Sequence, residues 1–172
     1  GSQGSQFINV NYNHAFTNKT LLNIEFIRSS GLGLIRNAGF THNDVQLQFQ
    51  RSGQRYTFLL KGNYQNRGVN HPGGVFSDAL IEDFGLEFSP VNKGEAKSIN
   101  KTGQLIFQNY FNFLSDSISK LGLTTVHDYS IKNRVYTEID TLYGIYNAVY
   151  IDSFETRDQY NLAKIGNGGG IF

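Results

Sequence analysis

The sequence predicts an all-β fold of antiparallel strands. Three observations carry that prediction: segments that alternate between apolar and polar residues, Gly-containing links between them, and an aromatic content of 14% spread over 14 Phe and 10 Tyr. The clearest segment pair is Asp44 to Gln65. Val45, Leu47 and Phe49 alternate with Asp44, Gln46, Gln48 and Gln50. After a turn around Ser52-Gly53, Tyr56, Phe58, Leu60 and Tyr64 alternate with Thr57, Leu59, Lys61, Asn63 and Gln65. A period of two sends successive side chains to opposite faces of a sheet. Two such runs joined by a short Gly-containing link make an antiparallel hairpin.

Composition bounds the alternatives. A chain of 172 residues is long enough for one domain with a core. A net charge of +1 gives no electrostatic basis for binding nucleic acid. The 19 Gly, the many Asn and only 2 Pro suit strands joined by loops. With no Cys, disulfide scaffolds, thiol catalysis and Cys-based metal sites are excluded. No apolar run is long enough for a membrane-crossing helix, which leaves open a membrane β-barrel with short alternating segments. The opening G-S-Q-G-S-Q lacks an initiator Met and a signal peptide, so it reads as processed, tagged or a fragment.

In chain order, Gln6 to Phe16 is the first strand. It sets Ile8, Val10, Tyr12, His14 and Phe16 against Asn9, Asn11, Asn13 and Ala15. A tight turn at residues 17–20 leads to Leu21 to Ser29, with Leu22, Ile24, Phe26 and Arg28 opposite Asn23, Glu25 and Ile27. A connection over 30–39 precedes the hairpin. Residues 67–100 read as a long loop that opens on His71-Pro72-Gly73-Gly74. Inside it, Phe76, Leu80, Phe84 and Phe88 recur every four residues, which predicts a short helix from Ser77, its N-cap, to Phe84. The fifth strand, Gly103 to Leu114, sets Leu105, Phe107, Phe111 and Phe113 against Gln104, Gln108 and Asn112. The sixth, Leu121 to Tyr136, sets Leu123, Thr125, Tyr129 and Ile131 against Thr124, Asp128, Ser130 and Lys132. Residues 137–170 read as a second long loop, with a strand-like flap over 147–154 and a Gly-rich tail without regular signal.

The connections alternate in length, and alternate connections of an antiparallel sheet lie at the same end. One end therefore carries tight turns and the other every long loop. That sorting is expected of an antiparallel up-and-down transmembrane β-barrel, of which about six strands are visible. Glu25, Asp44, Lys61, Asp128 and Lys132 keep to the polar parity, whereas His14, Arg28 and His127 fall on the apolar one. An Arg or Lys at a bilayer midplane costs about 2–4 kcal/mol and near an interface only about 0–1. Arg28, close to a strand end, is tolerable on that scale, and His127 is the poorest fit. Eight residues at about 3.4 Å each, tilted near 40°, span on the order of 20 Å, close to the height of a lipid-facing band. A soluble sandwich shares the alternation, with the apolar face as its core.

Chemical motifs are sparse. His14, His42, His71 and His127 have no second ligand at metal spacing, so no metal or other cofactor is expected. Gly31-Leu32-Gly33 and Gly166-Asn167-Gly168 lack the strand-then-helix context of a phosphate loop, and no G-x-S-x-G appears. No nucleophile, base or metal cluster stands out, so the chain reads as a non-enzyme. Asp78, Glu82 and Asp83 either form a solvated loop face or fold inward as a constriction.

Several short stretches resemble the porin family of Bacteroidetes-type outer membranes. They are G-S-Q-G-S-Q-F at Gly1 to Phe7, S-G-L-G-L at Ser30 to Leu34, R-Y-T-F-L-L-K-G-N-Y at Arg55 to Tyr64 and the Gly73-Gly74 loop start. R-V-Y-T-E at Arg134 to Glu138 and Y-I-D-S-F-E-T-R-D at Tyr150 to Asp158 complete the set. The resemblance implies a large antiparallel barrel in a bacterial outer membrane, with this chain an internal portion. Its departure is strand number, since eight is the usual minimum for a closed bacterial barrel. The expected function is passive diffusion of small hydrophilic solutes through a polar lumen. Asn9, Asn11, Asn13, Asn23, Glu25, Asp44, Gln46, Gln48, Lys61, Asn63, Gln108, Asp128 and Lys132 would line it. Outer-membrane lipid would be the surrounding partner, alone, as a homo-oligomer or with other outer-membrane proteins. The alternatives are a barrel subunit of a larger outer-membrane complex and a soluble all-β glycan-binding module.

Overall fold

A computed structural model describes residues 4–35, 37–73, 81–83, 85, 91, 95–115, 120–139 and 155–171. Seven strands follow in order: β1 (Gln6–Thr17), β2 (Thr20–Gly31), β3 (Phe40–Ser52), β4 (Tyr56–Asn70), β5 (Lys97–Ser115), β6 (Lys120–Ile139) and β7 (Glu155–Ile171). They form one antiparallel sheet in which every neighbour in sequence is a neighbour in space, leaving β1 and β7 as its two edges. No helix among the described residues is long and apolar enough to cross a membrane, a statement that concerns helices alone.

The hairpins form where alternation ends in turn chemistry. Between β1 and β2, the Lys19 amide donates to Thr17 Oγ1 at 3.2 Å, a local bond that competes with strand continuation. Between β3 and β4, a Cβ on Gly53 would lie 2.6 Å from the Tyr56 carbonyl oxygen, so only glycine fits that tight reversal. Between β2 and β3, Gly33 takes φ 78° and packs against Ala38, again a glycine position. The sorting expected from connection lengths holds. Residues 18–19, 53–55 and 116–119 link strands at one end, and 32–39, 71–96 and 140–154 link them at the other. These are the turn end and the loop end below.

Three expectations need correction. The tail does not lack structure: Glu155–Ile171 pairs with β6 from Leu123↔Ile171 to Ile139↔Glu155. The second long connection is therefore 140–154, not 137–170, and the sheet has seven strands instead of six. Sequence contrast hid β7, because Gly166, Gly168 and Gly170 occupy one parity and leave nothing to alternate with. The first long connection is likewise shorter than 67–100, since β4 runs to Asn70 and β5 starts at Lys97. Residues 97–102 are polar or small on both parities apart from Ile99, so the backbone ladder extends where side-chain contrast stops. Of the expected helix, residues 81–83 form a helical turn, with the Gly85 amide donating to the Ile81 carbonyl at 2.9 Å. Ser77, Phe84 and the flap over 147–154 lie outside the described residues.

The register sorts side chains into continuous cross-strand rows. One apolar row runs Val10, Phe26, Val45, Tyr64, Gly103, Ile131, Ala163. The next runs Tyr12, Ile24, Leu47, Gly62, Leu105, Tyr129, Ile165. Nothing described packs over these rows: Tyr12 is 51% exposed, Leu105 48% and Tyr129 45%. Ala96 is the one fully buried apolar residue among the described residues, and it lies at the loop end and not between layers. The apolar rows therefore form an extended exposed face on a single layer.

Toward the turn end the same face becomes aromatic. Tyr56 and Phe111 lie 4.6 Å apart by ring centroid, Phe49 and Phe58 5.5 Å, and Phe58 and Phe107 6.0 Å. Asn109 sits among them, 6% exposed, and its polar atoms are satisfied. Tyr56 Oη donates to its Oδ1 at 2.6 Å, and its Nδ2 donates to Thr125 Oγ1 at 3.1 Å. Asn109→Val would strand the Tyr56 hydroxyl and is expected to cost about 1–3 kcal/mol by chemical unfolding. The companion change Tyr56→Phe in the Asn109→Val background should recover part of that loss, because it removes the stranded donor.

Candidate functional site

The opposite face carries the polar parity of every strand. Its central row is Asn11, Glu25, Gln46, Asn63, Gln104, Ser130, Lys164. The row on the turn side is Asn13, Asn23, Gln48, Lys61, Ile106, Asp128, Gly166. On the loop side run Asn9, Ile27, Asp44, Gln65, Thr102, Lys132, Leu162. Gln108 lies further toward the turn end, between Leu59 and Val126. All thirteen residues expected to share one wall therefore do share one face.

Within it the amides organise the charges. Asp44 is 6% exposed, and its carboxylate accepts from Asn63 Nδ2 and Gln65 Nε2 at 3.1 Å each and from Gln46 Nε2 at 3.5 Å. Three neutral donors hold a buried anion without a cation bonded to it, which keeps the charge on the wall but fixes its direction. Gln104 Nε2 bridges both oxygens of Asp128 at 3.1 and 3.2 Å. Gly166 opposite Asp128 leaves that side of the carboxylate uncrowded. On the edge strand, Asn13 Nδ2 donates to Asn11 Oδ1 at 2.5 Å. Removing the acceptor, as in Asp44→Leu, leaves three part-buried amides short of a partner and is expected to cost about 1–3 kcal/mol, against a smaller loss for Asp44→Asn.

A cavity of about 240 Å³ opens on this face, with Glu25 and Lys61 on its rim and Asn23, Gln46, Gln48 and Gln104 among its walls. An acid, a base and several amides around one hollow can exchange hydrogen bonds with water and with neutral polar solutes alike. No cluster of three or more metal-ligating side chains occurs among the described residues.

Sequence reasoning put Gln65 and Gln104 on the polar parity but left both out of the expected wall. It missed a cluster at the loop end altogether. His71 Nε2 hydrogen-bonds Ser98 Oγ, and the His71 amide donates to the Ala96 carbonyl at 2.8 Å. The His71 ring lies 5.9 Å from that of Tyr136, whose hydroxyl donates to Glu138 Oε2 at 2.5 Å. Ser98 is 4% exposed, so its hydroxyl has no approach for a substrate, and the cluster ties both ends of connection 71–96 to the sheet. It escaped notice because its serine lies in a stretch that reads as loop. Of the residues expected either on a solvated loop face or in a constriction, two are described. Glu82 and Asp83 are exposed on the helical turn within 71–96, and Asp78 lies outside the described residues.

His127, the poorest fit to the apolar face, is accounted for by the strand that sequence reading overlooked. Its Nδ1 lies 2.8 Å from Asn167 Oδ1 on β7, and its ring stacks on Phe107 at 6.4 Å. His14 is flanked by Tyr12 and Phe16, with ring centroids at 6.1 and 4.5 Å.

These features define an all-β protein built as one antiparallel meander with an amide-rich face and an apolar, uncovered one. No family model, no curated protein and no solved structure matches the chain.

Proposed function

We propose that this sheet is wall from a β-barrel of a bacterial outer membrane, and that the barrel passes small hydrophilic solutes by diffusion. The observation that carries the reading is the uncovered apolar face opposite a face of amides and mixed charges. A sandwich would cover its apolar rows with a second layer, whereas a membrane wall leaves them to lipid. The sorting of tight turns to one end and long connections to the other supports the same reading.

The two edges add a geometric requirement. With seven strands in a meander, β1 and β7 run in the same direction. They cannot pair with each other antiparallel, so a wholly antiparallel closure needs an odd number of further strands. Open edges do not persist in hydrocarbon, because each bare amide and carbonyl there costs several kcal/mol. This favours a role inside a larger barrel or assembly over a closed ring of these strands alone. The resemblance to the porin family of Bacteroidetes-type outer membranes belongs with this reading, as does partnership with outer-membrane lipid and further outer-membrane protein.

Planar-bilayer recording of the folded protein tests the pore. Stepwise ionic current is the expected result. A folded, membrane-inserted protein without current would remove the solute-diffusion role and leave the membrane wall standing. Folding to a soluble monomer without detergent would remove both.

A further inference from the structure

The apolar face ends abruptly toward the loop end. One row there is polar in six successive strands: Arg28, Asn43, Asn66, Lys101, Asn133, Asn161. Arg28 and Lys101 are exposed, and Asn133 Nδ2 donates to Asn161 Oδ1 along the row. Beyond it, Lys97 and Arg157 lie on the same face, both exposed, flanking Thr137. Among strand residues whose side chains are described, this face carries cations and no acid. Glu25, Asp44, Asp128, Glu138 and Asp158 all lie on the polar face.

The two rims of the apolar band therefore differ in chemistry. The turn-end rim is mainly aromatic, with Tyr56 against both Phe58 and Phe111, and carries the one cation Arg51. The loop-end rim is an amide row with the cations Arg28 and Lys101 in it. A row chosen only for contact with neutral interfaces has no need of two cations among its amides.

We propose that the loop-end rim of the apolar face binds anionic lipid headgroups, with their phosphate groups as the recognised chemistry. The proposal rests on the reading that the apolar face meets lipid. Arg28 offers a planar fork of donors that matches two phosphate oxygens, and Lys101 and Lys97 supply compact charges. The amides of Asn43 and Asn66 fill the interval between Arg28 on β2 and Lys101 on β5, on the order of 14 Å at about 4.8 Å per strand, and Asn133 follows on β6. They can donate to phosphate and ester oxygens that the cations do not reach. The row from Arg28 to Asn161 holds no acid, so nothing within it repels the phosphates.

The test uses the full chain refolded into phosphatidylcholine vesicles that contain trace spin-labelled phosphatidylglycerol or spin-labelled phosphatidylcholine. Electron paramagnetic resonance gives the fraction of each label slowed at the protein surface. The anionic label is expected to associate about fivefold more strongly, the scale of one basic residue at an anionic surface. The double variant Arg28→Gln/Lys101→Gln should lower the ratio toward unity, Lys97 and Arg157 being left in place, with an unchanged far-ultraviolet circular dichroism spectrum. Lys164→Gln, on the other face, should keep the preference. Raising the salt concentration on the unaltered protein should lower the ratio, a readout independent of whether the double variant folds. Equal association of both labels, or a preference that the double variant and salt leave intact, overturns the proposal while the membrane wall stands. A protein that does not enter vesicles overturns the lipid-facing reading and this surface together.

Discussion

On the proposed membrane reading, Leu105→Arg is expected to destabilise the vesicle-inserted protein by about 2–4 kcal/mol, the cost of a cation at the middle of a lipid-facing band. Leu105 lies between Gly62 and Tyr129 in a row with apolar rows or aromatic contacts on both sides. It is 48% exposed, so the cost comes mainly from the solvent and not from a cavity or a clash. Depth should therefore govern the effect. Asn66→Arg, in the rim row that already holds Arg28 and Lys101, should cost only about 0–1 kcal/mol. Gln104→Arg, one residue away but on the polar face, should stay within about 0.5 kcal/mol. Urea unfolding of the protein in vesicles, followed by far-ultraviolet circular dichroism, measures all three. If water were the solvent of this face, Leu105→Arg would be nearly neutral. If a second protein layer covered it, Asn66→Arg would lose its exemption.

That contrast explains why the strands were legible in the sequence. Two-faced rows need a strict period of two, and β1 to β4 announce it because both faces differ in polarity along their length. Asp44 to Gln65 is the extreme case, with apolar and amide residues alternating across the whole hairpin. The turns were legible for a separate reason: Gly53 and the Thr17–Lys19 pair are local chemistry and depend on nothing distant.

β7 was not legible because strand formation there is a property of its partner. Lys164 and Ile165 alternate, but Gly168, Gly169 and Gly170 follow without contrast, and glycine lowers strand propensity on its own. What holds them extended is the long edge of β6, which offers backbone partners over its length. The same applies to residues 97–102, drawn into β5 by the ladders of β4 and β6. The wall residues were readable one by one from parity, yet the Asp44 hub depends on register. Asn63 and Gln65 reach that carboxylate only because Asp44 pairs with Gln65 and Gln46 with Asn63. The His71–Ser98 tie requires two chain segments 27 residues apart to meet at the loop end, which no local pattern encodes.

The double variant Lys61→Glu/Lys132→Glu is expected to raise the cation-over-anion permeability ratio of the proposed pore several-fold, with little change in conductance. Lys61 lies in the row with Asn23 and Gln48, and Lys132 in the row with Asp44 and Gln65. Both are exposed on the face assigned to solute. Lys61 has Gln48 and Asn63 beside it on that face, and Lys132 has Thr102 and Ser130; these neutral groups hydrogen-bond an ion of either sign, so selectivity falls to the fixed charges. Replacing each Lys by Glu changes the wall by two charges at two depths while keeping the side chains of similar length. Screening supplies the signature. The Debye length is about 10 Å at 0.1 M salt and about 3 Å at 1 M, so the shift in reversal potential should be large at low salt and fade at high salt. Arg28→Glu, on the opposite face, should leave the reversal potential where it was. A ratio that ignores the Lys61 and Lys132 changes but follows Arg28 would exchange the two faces, placing water against the apolar rows and sinking the proposed orientation of the wall.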